Sequence, residues 1–263
     1  MDLNIENKIA LVTGASAGLG FAAALAFARE GARVAINSRS KGNLDTASEK
    51  IKIDTGHMPF AIAGDLSKAG EAEKIVRNVE RELGPVEILV ANAGGPPPGE
   101  FLQFDQGVWN KSADLTLFSA ISLTRAVIPN MKNSKWGRII FITSVAVKQP
   151  LENLIISNTL RAGVTGFAKS ISNEYARFGI TANTVCPGYT DTERLKSLVE
   201  NLAGMQHVLP ADVYKKWTDN IPVGRVGKPE ELASLIIFLA SERASYITGA
   251  SIAVDGGLYK GLL

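Results

Sequence analysis

Short runs of β-branched and apolar residues alternate along the chain with longer stretches in which apolar positions recur every three or four residues. The short runs predict strands over residues 8–13, 33–37, 59–63, 88–91, 138–143, 181–185 and 251–254. Helices fall between them, and two are long, at about 105–131 and 154–177. Strand and helix in alternation predict βαβ units, and hence an α/β fold: one doubly wound parallel sheet with helices on both faces. One domain of that kind accounts for residues 1–263.

Two segments break the pattern. Residues 94–99 hold three consecutive prolines and predict a stiff loop after the fourth strand. Residues 189–227 hold short helical pieces and form a candidate lid. Its apolar positions, Leu198, Leu202, Met205, Val208, Leu209, Tyr214 and Trp217, suit either a cover over a hydrophobic substrate or a contact with another subunit. In the second long helix Ala162, Gly163 and Gly166 permit close approach of a neighbouring element.

Composition removes several function classes. Lys and Arg number 28 against 26 Asp and Glu, too even a balance to attract nucleic acid or anionic lipid. One cysteine and two histidines offer neither a disulfide nor a metal cluster, so no metal is expected. Asp2 and the short apolar run 9–12 do not make a secretory signal, and the apolar run 232–240 is too short to span a bilayer. A cytoplasmic protein without membrane contact is expected.

The first strand, Ala10-Leu11-Val12-Thr13, runs into Gly14-Ala15-Ser16-Ala17-Gly18-Leu19-Gly20 and then an alanine-rich helix. In that context Gly14 suits a tight turn, Gly18 lets a pyrophosphate approach the backbone, and Gly20 lets the helix pack on the strand. The helix N-terminus then faces the anion. At the end of the second strand, Ile36-Asn37-Ser38-Arg39 lacks the acid that would bind the ribose hydroxyls of NAD(H). Arg39 is either a partner for the 2′-phosphate of NADP(H), which is therefore the favoured cofactor, or a plain solvated charge.

The order Thr13-Gly14-x-x-x-Gly18-x-Gly20, Asp65-Leu66, Asn92-Ala93-Gly94 and Pro187-Gly188-x-x-x-Thr192 resembles the classical short-chain dehydrogenase/reductase family, and within it the β-ketoacyl reductases. Residues 221–231, Thr248-Gly249 and Asp255-Gly256-Gly257 extend the likeness over nearly the whole chain. The resemblance implies that Asp65 contacts adenine, that Asn92, Ala93 and Gly94 line the cofactor, and that Thr192 holds the carboxamide with help from the backbone near Thr190. It also implies a homotetramer or homodimer packed through the two long helices. Taken singly, Asp65 suits a helix N-cap, residues 92–94 a turn and Pro187-Gly188 a loop start.

The family's chemistry uses Tyr, a Lys four residues on, a Ser thirteen residues earlier and an Asn on the preceding long helix. Here Ser144 keeps its place, ungapped counting from it puts Ser157 at the Tyr and Arg161 at the Lys, and on the earlier long helix Asp114, in Ala113-Asp114-Leu115, takes the place of the Asn. Ser157 and Arg161, four apart, share a helix face. A serine hydroxyl is a far weaker acid than a phenol, and a guanidinium does not release its proton. The usual relay is therefore broken; the candidate substitute donors are Tyr189, Lys148 and water, while Tyr189 equally suits packing and Lys148 a solvated surface charge. Asp114 and Arg161 carry opposite charges, which predicts a buried ion pair between them. Three functions fit: an NAD(P)(H)-dependent oxidoreductase acting on a small-molecule ketone or secondary alcohol, a dinucleotide-binding regulatory or scaffold protein, and a crevice turned to non-redox chemistry.

Overall fold

The computed structural model describes residues 2–262. Its centre is a seven-stranded, wholly parallel sheet ordered β3-β2-β1-β4-β5-β6-β7. The strands are β1 (Ile9–Thr13), β2 (Arg33–Ser38), β3 (Phe60–Ala63), β4 (Ile88–Ala91), β5 (Gly137–Ile142), β6 (Ile180–Pro187) and β7 (Ser251–Val254). Each lies within a residue or two of the run that predicts it. β1, β4, β5 and β6 are buried along their whole length, as strands covered on both faces must be.

Helices α1 (Gly18–Arg29), α2 (Lys41–Thr55) and α9 (Pro229–Ala240) bury one face of the sheet under Phe27, Leu44, Ile51 and Ile236. On the other face lie α3 (Glu71–Glu82), α5 (Ser119–Ser134) and α6 (Ile155–Tyr175), through Ile75, Leu123, Val127 and Val164. In α3 the buried positions 72, 75, 76 and 79 form one stripe at helical spacing. Because the strand order reverses between β1 and β4, their carboxyl ends part and leave a crevice there.

The first long helix departs from its expected form. Asp105 caps α4 (Gln106–Ala113) by accepting from the Val108 N–H at 2.9 Å, and the helix continues to Ser134, but residues Asp114–Phe118 make a π turn. A π turn carries one more residue per turn, so the side chains beyond it change face.

The segment after β6 is two helices, α7 (Glu193–Gln206) and α8 (Pro210–Asn220). They pack on each other through Val199, Ala203, Val213 and Trp217, while Met205, Val208, Leu209 and Tyr214 face solvent. Both ends of the segment are tied together: Gly227 N–H donates to Tyr189 O at 2.9 Å, and Asp191 N–H to Gly227 O at 2.8 Å. No helix among the described residues is long and apolar enough to cross a membrane.

Candidate active site

A cleft of about 300 Å³ opens at the carboxyl edge of the sheet. One wall is the turn between β1 and α1. Gly14 and Gly18 take φ values of +57° and +58°, which side chains resist. Gly20 packs so closely that a Cβ would stand 2.3 Å from Gly14 O. Ala17, at the head of α1, provides no side-chain cap, so the first N–H groups of that helix have no side-chain acceptor and face an incoming anion. Asn92 braces the turn from β4: its Nδ2 donates to Gly14 O at 3.1 Å, while Thr13 Oγ1 donates to Asn92 O at 2.7 Å.

Leu19, Ala93, Gly94, Pro187, Gly188, Thr190 and Thr192 also line the cleft. Thr192 caps α7 by accepting from Leu195 N–H and sits across from Gly18. Ser16, Ser38, Arg39, Asp65 and Leu66 lie beyond the lining, at or just after the ends of β1, β2 and β3. Arg39 is exposed and forms no ion pair among the described residues. Asp65 accepts from the Ser67 N–H and hydroxyl. Burial raises its pKa, but the Ser67 hydrogen bonds and the charge of Arg39 outweigh that and hold it below the usual carboxylate range. Asn37, where an acid would recognise ribose, is buried and ties β2 to β3 through Ile62 O and Gly64 O.

Ser144, Ser157 and Arg161 come together in the same cleft. Ser144 follows β5, and its Oγ accepts from Ala146 N–H at 3.1 Å, which leaves its own hydrogen to donate. Ser157 is 6% exposed and reaches the cleft from α6. One turn on, Arg161 Nη1 donates to Ile142 O at 3.0 Å and Thr143 O at 2.5 Å. Burial, with the charge of Arg194 adding to it, lowers the Arg161 guanidinium to about 10, so it stays charged at neutral pH.

The expected ion pair of Asp114 with Arg161 does not form. The π turn leaves Asp114 exposed and turns Thr116 inward instead. Thr116 is 7% exposed, and its buried Oγ1 has no hydrogen-bond partner. It lines a pocket of about 20 Å³ together with Asn92, Ser119 and Arg161. Matching Asp114 to the Asn passed over Thr116, two residues on, because residue order alone does not show which side chain of this turn is buried. Lys148 lies outside the cleft lining, whereas Tyr189 belongs to it.

Arg194 is a further residue that spacing did not reveal. From the head of α7 it spans to the proline loop, donating to Gly95 O at 3.3 Å and Pro96 O at 3.0 Å. It therefore ties α7 to the opposite rim of the cleft.

Comparison with known proteins agrees with this geometry. The family described as Enoyl-(Acyl carrier protein) reductase matches residues 14–259. The chain is 34% identical to the 3-oxoacyl-(acyl-carrier-protein) reductase of Vibrio harveyi, over 98% of this chain and 99% of that protein. It is 33% identical to the acetoacetyl-CoA reductase of Shinella zoogloeoides, over 96% and 99%. Among solved structures, the L-sorbose reductase of Gluconobacter frateurii, complexed with NADPH and L-sorbose, superposes with a TM-score of 0.94 at 31% identity, covering 100% of both chains.

Proposed function

The chain belongs to the short-chain dehydrogenase/reductase family, on its ketoreductase-like side, and from that membership we propose an NAD(P)H-dependent reductase of ketones, reversible to the secondary alcohol, that works with Ser157 and Arg161 in place of Tyr and Lys. The observation that carries it is the convergence of the Ser144 and Ser157 hydroxyls with Arg161 on one cleft, whose opposite wall is the glycine turn and uncapped head of α1.

That wall fits a dinucleotide: the close approach at Gly20 and the bare N–H groups of α1 suit a diphosphate, and residues 92–94 and 187–192 flank the place for a nicotinamide. When bound, NAD(P)H supplies a hydride for the carbonyl carbon. Ser144 donates its free hydrogen to the carbonyl oxygen, and Ser157 offers a second hydroxyl. The fixed charge of Arg161 favours negative charge developing on that oxygen, without giving up a proton. Arg39, exposed and in no ion pair among the described residues, supports a preference for the 2′-phosphate of NADP(H). We also propose that two or four copies pair through α5 and α6, which light scattering checks.

The test is loss of absorbance at the nicotinamide band across a panel of ketones. Turnover is expected, with kcat falling ~10²-fold or more in Ser144→Ala. One observation favours a dinucleotide-responsive regulatory protein instead: position 157 carries no phenol. NADPH binding without turnover of any ketone would select that function.

A further inference from the structure

Reduction of a carbonyl needs a proton as well as a hydride, and the cleft contains few groups able to supply one. Its lining hydroxyls at Thr143, Ser144, Ser157, Thr190 and Thr192 are aliphatic and very weakly acidic. Arg161 and Arg194 are turned onto backbone carbonyls, Arg161 onto Ile142 O and Thr143 O and Arg194 onto Gly95 O and Pro96 O, and both stay charged at neutral pH. Glu193 is exposed and paired with Lys196 at 2.7 Å. No histidine, lysine or cysteine lines the cleft. The remaining titratable group is the phenol of Tyr189.

Its placement is specific. Tyr189 follows Pro187-Gly188 at the end of β6 and lines the cleft that holds Ser144 and Ser157. Its ring lies flat on Trp217 of α8, with centroids 4.2 Å apart and planes within 5°, and it packs beside Leu195, Ile221 and Val226. No hydrogen bond ties its hydroxyl to any described residue, so the hydroxyl is available to a ligand. The charged groups near this wall are Glu152 in the loop before α6, Arg161 on α6, and Glu193 and Arg194 on α7. Burial first, and then the charge of Glu152, push the phenol above its usual 10. It is therefore fully protonated at neutral pH.

We propose that Tyr189, carried on the strand end rather than on α6, delivers the proton to the carbonyl oxygen. This rests on the reductase function proposed above. The hydride pair from NAD(P)H forms the new C–H bond, and the carbonyl π pair moves onto oxygen. That oxygen takes the Tyr189 proton as the phenol O–H bond breaks. The phenolate recovers a proton from solvent through the open mouth of the cleft, so each turnover consumes one proton and one reduced dinucleotide. In the reverse direction the phenolate must form first, so alcohol oxidation gains rate as pH rises while ketone reduction holds level through neutral pH.

The experiment compares wild type with Tyr189→Phe, which keeps the ring on Trp217. With NADPH saturating and the same ketone panel, kcat should fall ~10²- to 10⁴-fold in Tyr189→Phe. NADPH affinity, followed by fluorescence, should stay within about twofold. Wild type should show a solvent deuterium isotope effect on kcat. Replacing all tyrosines by 3-fluorotyrosine, a more acidic phenol, should move the alkaline rise in oxidation to lower pH; this measurement serves if Tyr189→Phe folds poorly. Tyr189→Phe with kcat within about threefold of wild type and an unchanged pH profile would overturn the role of Tyr189 alone. Wild type that binds NADPH yet reduces no ketone would overturn the reductase function and this role together.

Discussion

An alanine at position 20 would press on the turn proposed to hold the diphosphate. Its Cβ would stand 2.3 Å from Gly14 O and 2.9 Å from Asn92 Nδ2. Comfortable contact between heavy atoms needs about 3.5 Å, so the shortfall at Gly14 exceeds about 1 Å. Neither neighbour yields cheaply, because one is backbone and the other already donates to it at 3.1 Å. Overpacking of this kind costs about 1–3 kcal/mol. Relief requires the turn to move off α1, which displaces the N–H groups aimed at the ligand. Gly20→Ala should lower the unfolding free energy by about 1–3 kcal/mol in urea, and calorimetry should find the NADPH Kd raised about tenfold or more, equivalent to ~1.4 kcal/mol. Gly42→Ala is the internal control: a Cβ there meets nothing within 4 Å. It should gain about 0.5–1 kcal/mol and leave Kd alone. If Gly20→Ala loses stability while Kd holds, the turn does not grip a dinucleotide; if neither moves, the steric argument is wrong.

Arg194→Ala removes the latch between α7 and the proline loop, so proteolysis within residues 193–220 should quicken and KM for the ketone rise several-fold with kcat little changed; equal proteolysis would deny the latch. Glu231 accepts from Lys228 N–H and pairs with Arg225 at 2.7 Å. Those contacts, the Arg225 hydrogen bond foremost, lower its carboxyl from 4.5 to about 2. The depressed value means that this contribution to the folded state is present above about 4.5 and is lost as pH falls toward 2; an NMR titration placing Glu231 near 4.5 would contradict it. Adding Ser157→Tyr with Arg161→Lys to Tyr189→Phe puts a phenol and an ammonium on one face of α6 and should recover kcat at least ~10-fold over Tyr189→Phe. Failure of a folded triple variant to recover would mean that Ser157 and Arg161 do work a Tyr and Lys cannot replace.

The parallel sheet was legible because its central strands are buried on both faces and read as short, mainly apolar runs, as in β1 and in β4 at residues 88–91, while the half-buried β7 at 251–254 still shows as a short β-branched run. The phosphate turn was legible because glycine there answers a backbone requirement that no other residue meets. What escaped depends on helix phase and side-chain direction. The sequence around the π turn at Asp114–Phe118 does not mark which of its side chains is buried, and there Asp114 is exposed while Thr116 is buried. The spacing of Ser157 and Arg161 correctly placed them on one face, yet could not show that the guanidinium turns back to cap Ile142 O and Thr143 O. Arg194 reaches residues 95 and 96 across 99 and 98 positions of sequence, a contact that only the folded chain creates.

Placing the proton donor at the end of β6 changes what controls the reaction. A donor on α6 would be fixed by the helix itself, whereas the Tyr189 ring is positioned by stacking on Trp217, which belongs to the lid. The same lid is held to the far rim by Arg194 and to β6 by the paired hydrogen bonds of residues 189, 191 and 227. On the proposal that α7 and α8 cover the substrate, covering it and aligning the proton are one event, because α8 cannot swing away without unstacking the phenol. Hydride transfer in an open cleft would leave an oxygen with no acid beside it, so the arrangement ties chemistry to closure.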